Sequence, residues 1–271
     1  MNNTHEDAPN IAIFCDYENV AIGVRDADYD EFVMARVTER LLDKGKIVVK
    51  KAYADWEDYK SAKRPMHEAA FEMIEVPHVT YSGKNSADIR LVVDALDICY
   101  TKQHLDTFVI ISGDSDFSPL VSKLRENNKT VIGVGVKNST SDLLVENCDE
   151  YIYYDDLVRD SQKRNRSTNS GGGEQKKQAD DGGSKDGGSK DEAIEMVLDQ
   201  VEALFRERDS NLWSSLVKQT LQRKRPNFNE SYYGYRNFSE LLEDARDRGL
   251  LEIQKDEKSG GYIVLGFGPH A

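Results

Sequence analysis

The feature that most constrains this chain is a short apolar run that ends in acid. Phe108-Val109-Ile110-Ile111 has no polar residue, and the five that follow are Ser112-Gly113-Asp114-Ser115-Asp116. A wholly apolar run between polar flanks reads as a strand buried on both faces, which belongs in a parallel sheet covered by helices. Gly113 permits a sharp exit from the strand. Pro119 suits the first turn of a following helix, where its missing N–H costs no hydrogen bond. Asp114 and Asp116 then stand at the carboxyl end of a central strand, the edge at which open α/β sheets bind ligands. Two acids crowded there repel each other unless they are protonated, solvated or neutralised by a cation. Helix capping is the alternative, with Ser115 or Asp116 as the cap and Asp114 shaping the turn.

A second segment has the same form. Asn10 to Cys15 reads as a buried strand ending at Asp16, and Asn19 follows where the backbone turns. Phe32 to Leu42 gives a helix face. A strand over Ile47–Tyr53, a helix over about Pro65–Ile74 and a strand over Val76–Tyr81 lead to a polar loop at Ser82–Ser86 that carries Lys84. A helix over about Ala87–Tyr100 sets Asp88, Val92, Ala95 and Cys99 on one face. Asp88 is therefore aimed inward at the helix start, and Asp97 faces away. After the Phe108–Ile111 strand come a helix to about Asn127, a strand at Thr130–Gly135, a short helix over Thr140–Glu146 and an edge strand at Tyr151–Tyr154. This alternation predicts a three-layer α/β domain with a mainly parallel sheet. With strand order 3-2-1-4-5, the first and fourth strands are neighbours at the switch point. Asp16 and Asp114 then meet, with Asp88 and Asp116 at adjacent helix starts.

The composition changes abruptly after Asp160. Ser161 to Lys190 contains Gly171-Gly172-Gly173 and a repeated Gly-Gly-Ser-Lys-Asp, with no apolar period, and reads as a flexible linker. Order returns at Asp191. Ala193, Ile194, Val197, Val201, Leu204 and Phe205 form one helix stripe, and Trp213, Leu216, Val217 and Leu221 a second. Phe238, Leu241, Leu242 and Ala245 form a third, closed at Gly249. Leu250–Ile253 and Tyr262–Leu265 read as a hairpin, completing a winged-helix-like α+β plan. The net charge is −13, unevenly spread: −12 over residues 1–160, +3 over 161–190 and −4 over 191–271. That excludes the global basic footprint of a protein that coats nucleic acid. Nucleic-acid contacts must be local, as at Lys218, Arg223, Lys224 and Arg225, or bridged by metal. Cys15, Cys99 and Cys148 are far apart and form no CxxC or Cys/His cluster, which predicts reduced thiols, no structural zinc and a cytoplasmic setting. No apolar run approaches the length of a membrane span, and no secretory signal is visible at the N-terminus.

These residues bring a family into view. Residues 9–157 resemble the NYN domain, a PIN-like nuclease fold, in its LabA-like bacterial branch. The resemblance rests on Ile13-Phe14-Cys15-Asp16-Tyr17-Glu18-Asn19, on Lys84-Asn85-Ser86-Ala87-Asp88 with Val92-Val93-Asp94, on Ile111 to Phe117, and on Cys148-Asp149-Glu150-Tyr151-Ile152. Residues 191–266 resemble an OST-HTH (LOTUS) domain through Tyr232-Tyr233-Gly234-Tyr235, Phe238, Leu241-Leu242 and Gly249-Leu250. Residues 158–190 are the linker between them. The resemblance implies metal-dependent, endonucleolytic cleavage of RNA, single-stranded or structured, with Mg²⁺ or Mn²⁺ on Asp16, Asp88, Asp114 and Asp116. Such ions take hard oxygen ligands and activate water. Asn19 and Ser112 would orient water or phosphate, and Lys84 would hold a substrate phosphate as a point charge. Asp94 matches the family pattern but lies off the inward helix face.

Three other readings remain open from sequence. One is a non-catalytic RNA-binding regulator with a vestigial acid site. Another is an aspartyl-phosphate enzyme using Lys129 or Lys137. The third is a scaffold that binds a protein partner through the LOTUS-like domain.

Overall fold

The computed structural model describes residues 8–77, 86–159, 188–207, 212–256 and 260–270. The chain divides into two compact units between Ser167 and Thr168. The first is built on six strands: β1 (Asn10–Asp16), β2 (Lys46–Ala54), β3 (Glu72–Glu75), β4 (Thr107–Ile111), β5 (Thr130–Gly135) and β6 (Glu150–Tyr153). All neighbours pair in parallel, in the order β3-β2-β1-β4-β5-β6. The predicted order holds, and β6 extends it as an edge strand.

Side chains alternate across a strand, so β1 feeds two cores. Ile11, Ile13 and Cys15 enter one, with α1 (Tyr17–Asp26), α2 (Met34–Leu42) and α3 (Lys60–Glu68). Ala12 and Phe14 enter the other, with α4 (Ser86–Thr101), α5 (Ser118–Glu126) and α6 (Asp142–Asn147). Residues 154–159 are helical (α7), and their Tyr154 and Val158 join the first core. Burial on both faces is why β1, β4 and β5 read as near-continuous apolar runs.

Several expectations are corrected. Asn19 lies not in a simple turn but in α1, whose buried residues are Tyr17, Val20, Gly23 and Val24. A sparse apolar face next to a strand hid its period. The expected helix over Pro65–Ile74 is α3 at Lys60–Glu68, with Pro65 inside it, and the third strand is Glu72–Glu75 rather than Val76–Tyr81. Ala70, at φ 57°, turns the chain, so Met66 goes to the helix and Met73 to the strand. Residues 78–81 lie outside the described residues.

Tyr151 of β6 pairs in register with Gly133 of β5. Its ring lies over the bare backbone of that strand. A Cβ on Gly133 would stand 2.2 Å from the ring, and one on Gly135 would stand 2.4 Å from the hydroxyl.

The second unit packs α8 (Lys190–Glu207), α9 (Ser214–Lys224) and α10 (Phe238–Asp247) on an antiparallel sheet of order β7-β9-β8. Its strands are β7 (Leu212–Trp213), β8 (Leu251–Lys255) and β9 (Tyr262–Phe267). Asn237 caps α10 through the Glu240 N–H, and Glu240 accepts in return from the Arg236 N–H. Gly249, at φ 73°, closes that helix. Trp213, expected on a helix stripe, instead pairs with Ile263 in β7 and is exposed. Among the described residues, no helix is long and apolar enough to cross a membrane.

Gly133→Ala forces the Tyr151 ring to move. Overpacking of this kind costs about 1–3 kcal/mol, which lowers the thermal midpoint by several degrees. Gly266→Ala, where a Cβ meets nothing within 4 Å, is expected to leave the midpoint unchanged. Thermal unfolding followed by circular dichroism checks both.

Candidate functional site

The parallel register of β1 and β4 sets Cys15 beside Ile111, so both strands end at the same height. Asp16 and Ser112 come next. The Ser112 hydroxyl donates to Asp16 Oδ2 at 3.0 Å and accepts from the Asp114 N–H at 3.2 Å. Asp16 also caps α1, its Oδ1 accepting from the Asn19 N–H at 3.3 Å. Asn19 Oδ1 in turn accepts from the Gly113 N–H at 2.9 Å. Asp114 caps the 3-10 turn Ser115–Phe117 through the Asp116 N–H. Neither Ser115 nor Asp116 caps the following helix, whose N-cap Phe117 makes no side-chain bond; Asp114 caps the 3-10 turn before it. The Tyr151 hydroxyl donates to the Ser112 carbonyl at 3.0 Å. Gly113 is required by a close approach: a Cβ there would stand 2.2 Å from the Ser139 carbonyl oxygen.

Asp16 is only 5% exposed. Burial first, and then the nearby Asp88 carboxylate, push its carboxyl up to about 7, against the opposing pull of the Asn19 N–H and Ser112 hydroxyl bonds. Asp88 is half-buried in the first turn of α4. It is pushed up to about 6 by burial and then by Asp114, Asp116 and Glu18. Asp88 thus links the acids of this edge: its charge raises Asp16, and the charges of Asp114 and Asp116 raise it. Asp116 is exposed at its rim.

Sequence reasoning missed two participants. Glu18 adds a fifth negative charge felt by Asp16 and Asp88, and its Oε1 accepts from the Asp55 N–H at 2.8 Å, just past β2. It lies inside the quoted Asp16–Asn19 motif, two residues beyond the acid. Tyr151 supports the Ser112 carbonyl, and the sequence hint was the pair of glycines, Gly133 and Gly135, in the neighbouring strand.

Other expected residues divide. Asp94 receives hydrogen bonds from Tyr53 and Arg90 and braces the sheet outside the acid group. Asp149 accepts from the Val131 N–H near the start of β5, away from the acids. Lys129 donates to the Leu105 carbonyl just before β4, so it lies at the opposite sheet edge from these acids. Lys84 lies outside the described residues. In the second unit, Lys218 is bonded to Glu230 at 2.6 Å and is not a free phosphate contact. Arg223, Lys224 and Arg225 are exposed.

Acidic side chains gathered at the carboxyl edge of a parallel sheet are the setting of metal-assisted phosphate chemistry. The chain belongs to the NYN domain family, whose family model matches residues 10–155. Residues 192–263 match the OST-HTH/LOTUS domain. Among solved structures, the chain is similar to VPA0982, a protein of unknown function from Vibrio parahaemolyticus. The identity is 27% and the TM-score 0.51, over 58% of this chain and 98% of that one. A comparison with curated proteins found no match. The two domains give the chain an RNA-related function, nuclease or binding.

The raised carboxyls predict a pH dependence. Asp16 titrates near 3.8 when unfolded and at about 7 when folded. Between those values the folded chain holds more protons, so stability falls as pH rises. In EDTA, the wild-type thermal midpoint is expected to be lower at about pH 8 than at about pH 5. Asp16→Asn is expected to shrink that difference; an unchanged difference would remove Asp16 as its source.

Proposed function

We propose that this protein is a divalent-metal-dependent ribonuclease of the LabA-like NYN branch, acting endonucleolytically in the cytoplasm. The observation that carries the reading is the placement of Asp16, Asp88, Asp114 and Asp116 at the β1/β4 edge, where Asp88 raises the proton affinity of Asp16, and Asp114 and Asp116 raise that of Asp88. The donor chemistry fits Mg²⁺ or Mn²⁺: hard carboxylate oxygens, crowded and repelling, whose charge a divalent ion would offset. Among the described residues, no three His, Cys, Asp or Glu side chains stand close enough to share one ion. Side-chain rotation of these four aspartates would have to bring their oxygens together. When bound, the metal supplies an activated water and charge stabilisation at the phosphate. The chain's own residues do the positioning. Ser112 and Asn19 use their oxygens inside the protein: the Ser112 hydroxyl holds Asp16 and the Asp114 N–H, and the Asn19 side-chain oxygen holds the Gly113 N–H. Asp116 completes the acid group from the solvent side. Lys84 would hold a phosphate.

The LOTUS unit would bind the RNA through Arg223, Lys224 and Arg225 at the end of α9, raising the local substrate concentration at the acid edge. It also offers a surface for a protein partner. A second reading, RNA binding without cleavage, is favoured by the spacing of the acids, no three of which, among the described residues, are close enough to share one ion.

Labelled single-stranded RNA and its DNA equivalent, incubated with Mn²⁺, Mg²⁺ or EDTA, separate the readings. Cutting is expected with metal and not with EDTA, and is expected to fall at least about 100-fold in Asp16→Asn and in Asp114→Asn. Cutting that survives both substitutions would overturn the site. RNA binding in EDTA with no product under any condition would establish the second reading. Replacing Arg223, Lys224 and Arg225 by alanine is expected to weaken binding and flatten its salt dependence by roughly 2 in log–log slope. Lys218→Ala is expected to leave that slope unchanged.

A further inference from the structure

Helix α4 is apolar on two sides. Leu91, Ala95, Ile98 and Cys99 are buried in the sheet-facing core. Away from them stand Ile89, Val93 and Tyr100, exposed by 63%, 56% and 56%, with the half-buried Leu96 between. Single exposed apolar residues are ordinary, but a contiguous row marks a contact surface. The spacing of this row is four, three and four residues, which is the seam of two helices in contact.

The charges beside the row specify the partner. Arg90 and Asp97 are seven residues apart and flank the same side of it. A two-fold axis perpendicular to the helix lays that flank against its own copy with the direction reversed. Arg90 of one chain then faces Asp97 of the other, twice, while Val93 packs near Leu96 and Ile89 near Tyr100. The bond that Arg90 Nε already makes to Asp94 at 3.1 Å leaves the terminal guanidinium nitrogens for this contact. A parallel pairing would instead set the charged flank against Val92 and Cys99.

We propose that this face is a homodimer interface in which two copies of α4 pack antiparallel. The row spans about 17 Å, so the contact is small and the association weak, in the micromolar range. The two Asp88 side chains would then lie about 20 Å apart along the pair, one acid group at each end.

Sedimentation velocity of the full chain over roughly 1 μM to a few hundred μM tests this. The mass is expected to rise with concentration from 30.7 kDa towards twice that value. Val93→Glu is expected to stay monomeric. Ile89→Lys serves as a second disruption, and an unchanged thermal midpoint confirms that each variant is folded. Arg90→Glu is expected to weaken association about tenfold, and Arg90→Glu combined with Asp97→Arg to restore it. A wild type that is monomeric throughout would overturn the proposal. So would a dimer that persists in folded Val93→Glu, which would place the contact elsewhere, such as on the exposed Trp213 and Leu265. Failure of the double charge reversal to restore association would overturn the antiparallel register.

Discussion

The parallel pairing of β1 with β4 is the constraint on which the acid edge depends. Both strands are buried on both faces, so a slip of one residue would turn apolar side chains into the wrong core. That fixes Cys15 against Ile111 and sets Asp16 beside Ser112. The strand exit is then held by side chains from several elements: Asp16 from β1, Asn19 from α1 and Tyr151 from β6. The Ser141 N–H adds a further bond to the Gly113 carbonyl at 2.9 Å. The loop that carries Asp114 is therefore rigid because its hydrogen-bonding groups have assigned partners.

The same geometry concentrates negative charge. A buried carboxylate beside others is unfavourable, and the group responds by holding protons more tightly. The N–H and hydroxyl groups that Asp16 accepts from only partly oppose this, since burial is the largest cause of its shift. A sheet edge built for stability alone would place neutral caps here. Local conflict of this kind is where natural proteins put function.

The two units differ in how they could meet a polyanion. Residues 1–160 carry a net charge of −12, so long-range attraction to RNA does not come from them. In the second unit, Lys218 is bonded to Glu230, while Arg223, Lys224 and Arg225 stand exposed in one short run. The exposed basic run and the acidic sheet edge thus belong to different units of the chain.

Much of this was legible in the sequence. Wholly apolar runs ending in acid announced buried parallel strands and placed Asp16 and Asp114 past their ends, because period and composition follow directly from two-sided burial. Helical spacing alone aimed Asp88 inward and Asp97 outward. Other features depended on partners distant in the chain. The β3 boundary turned on a positive φ at Ala70, which a side chain other than glycine does not advertise. Glu18 joined the acids only because α1 begins directly at Asp16 and lies beside the end of β2. Tyr151 reached Ser112 only because β6 lies against two glycines of β5. Lys218 lost its expected role to an acid twelve residues away. The sequence by itself determined most of the elements and the kinds of side chain at the sheet edge, since these follow from local period and burial. Which charges meet, and which are already taken, was decided by tertiary structure, because electrostatic and hydrogen-bond partners are set by distance in space.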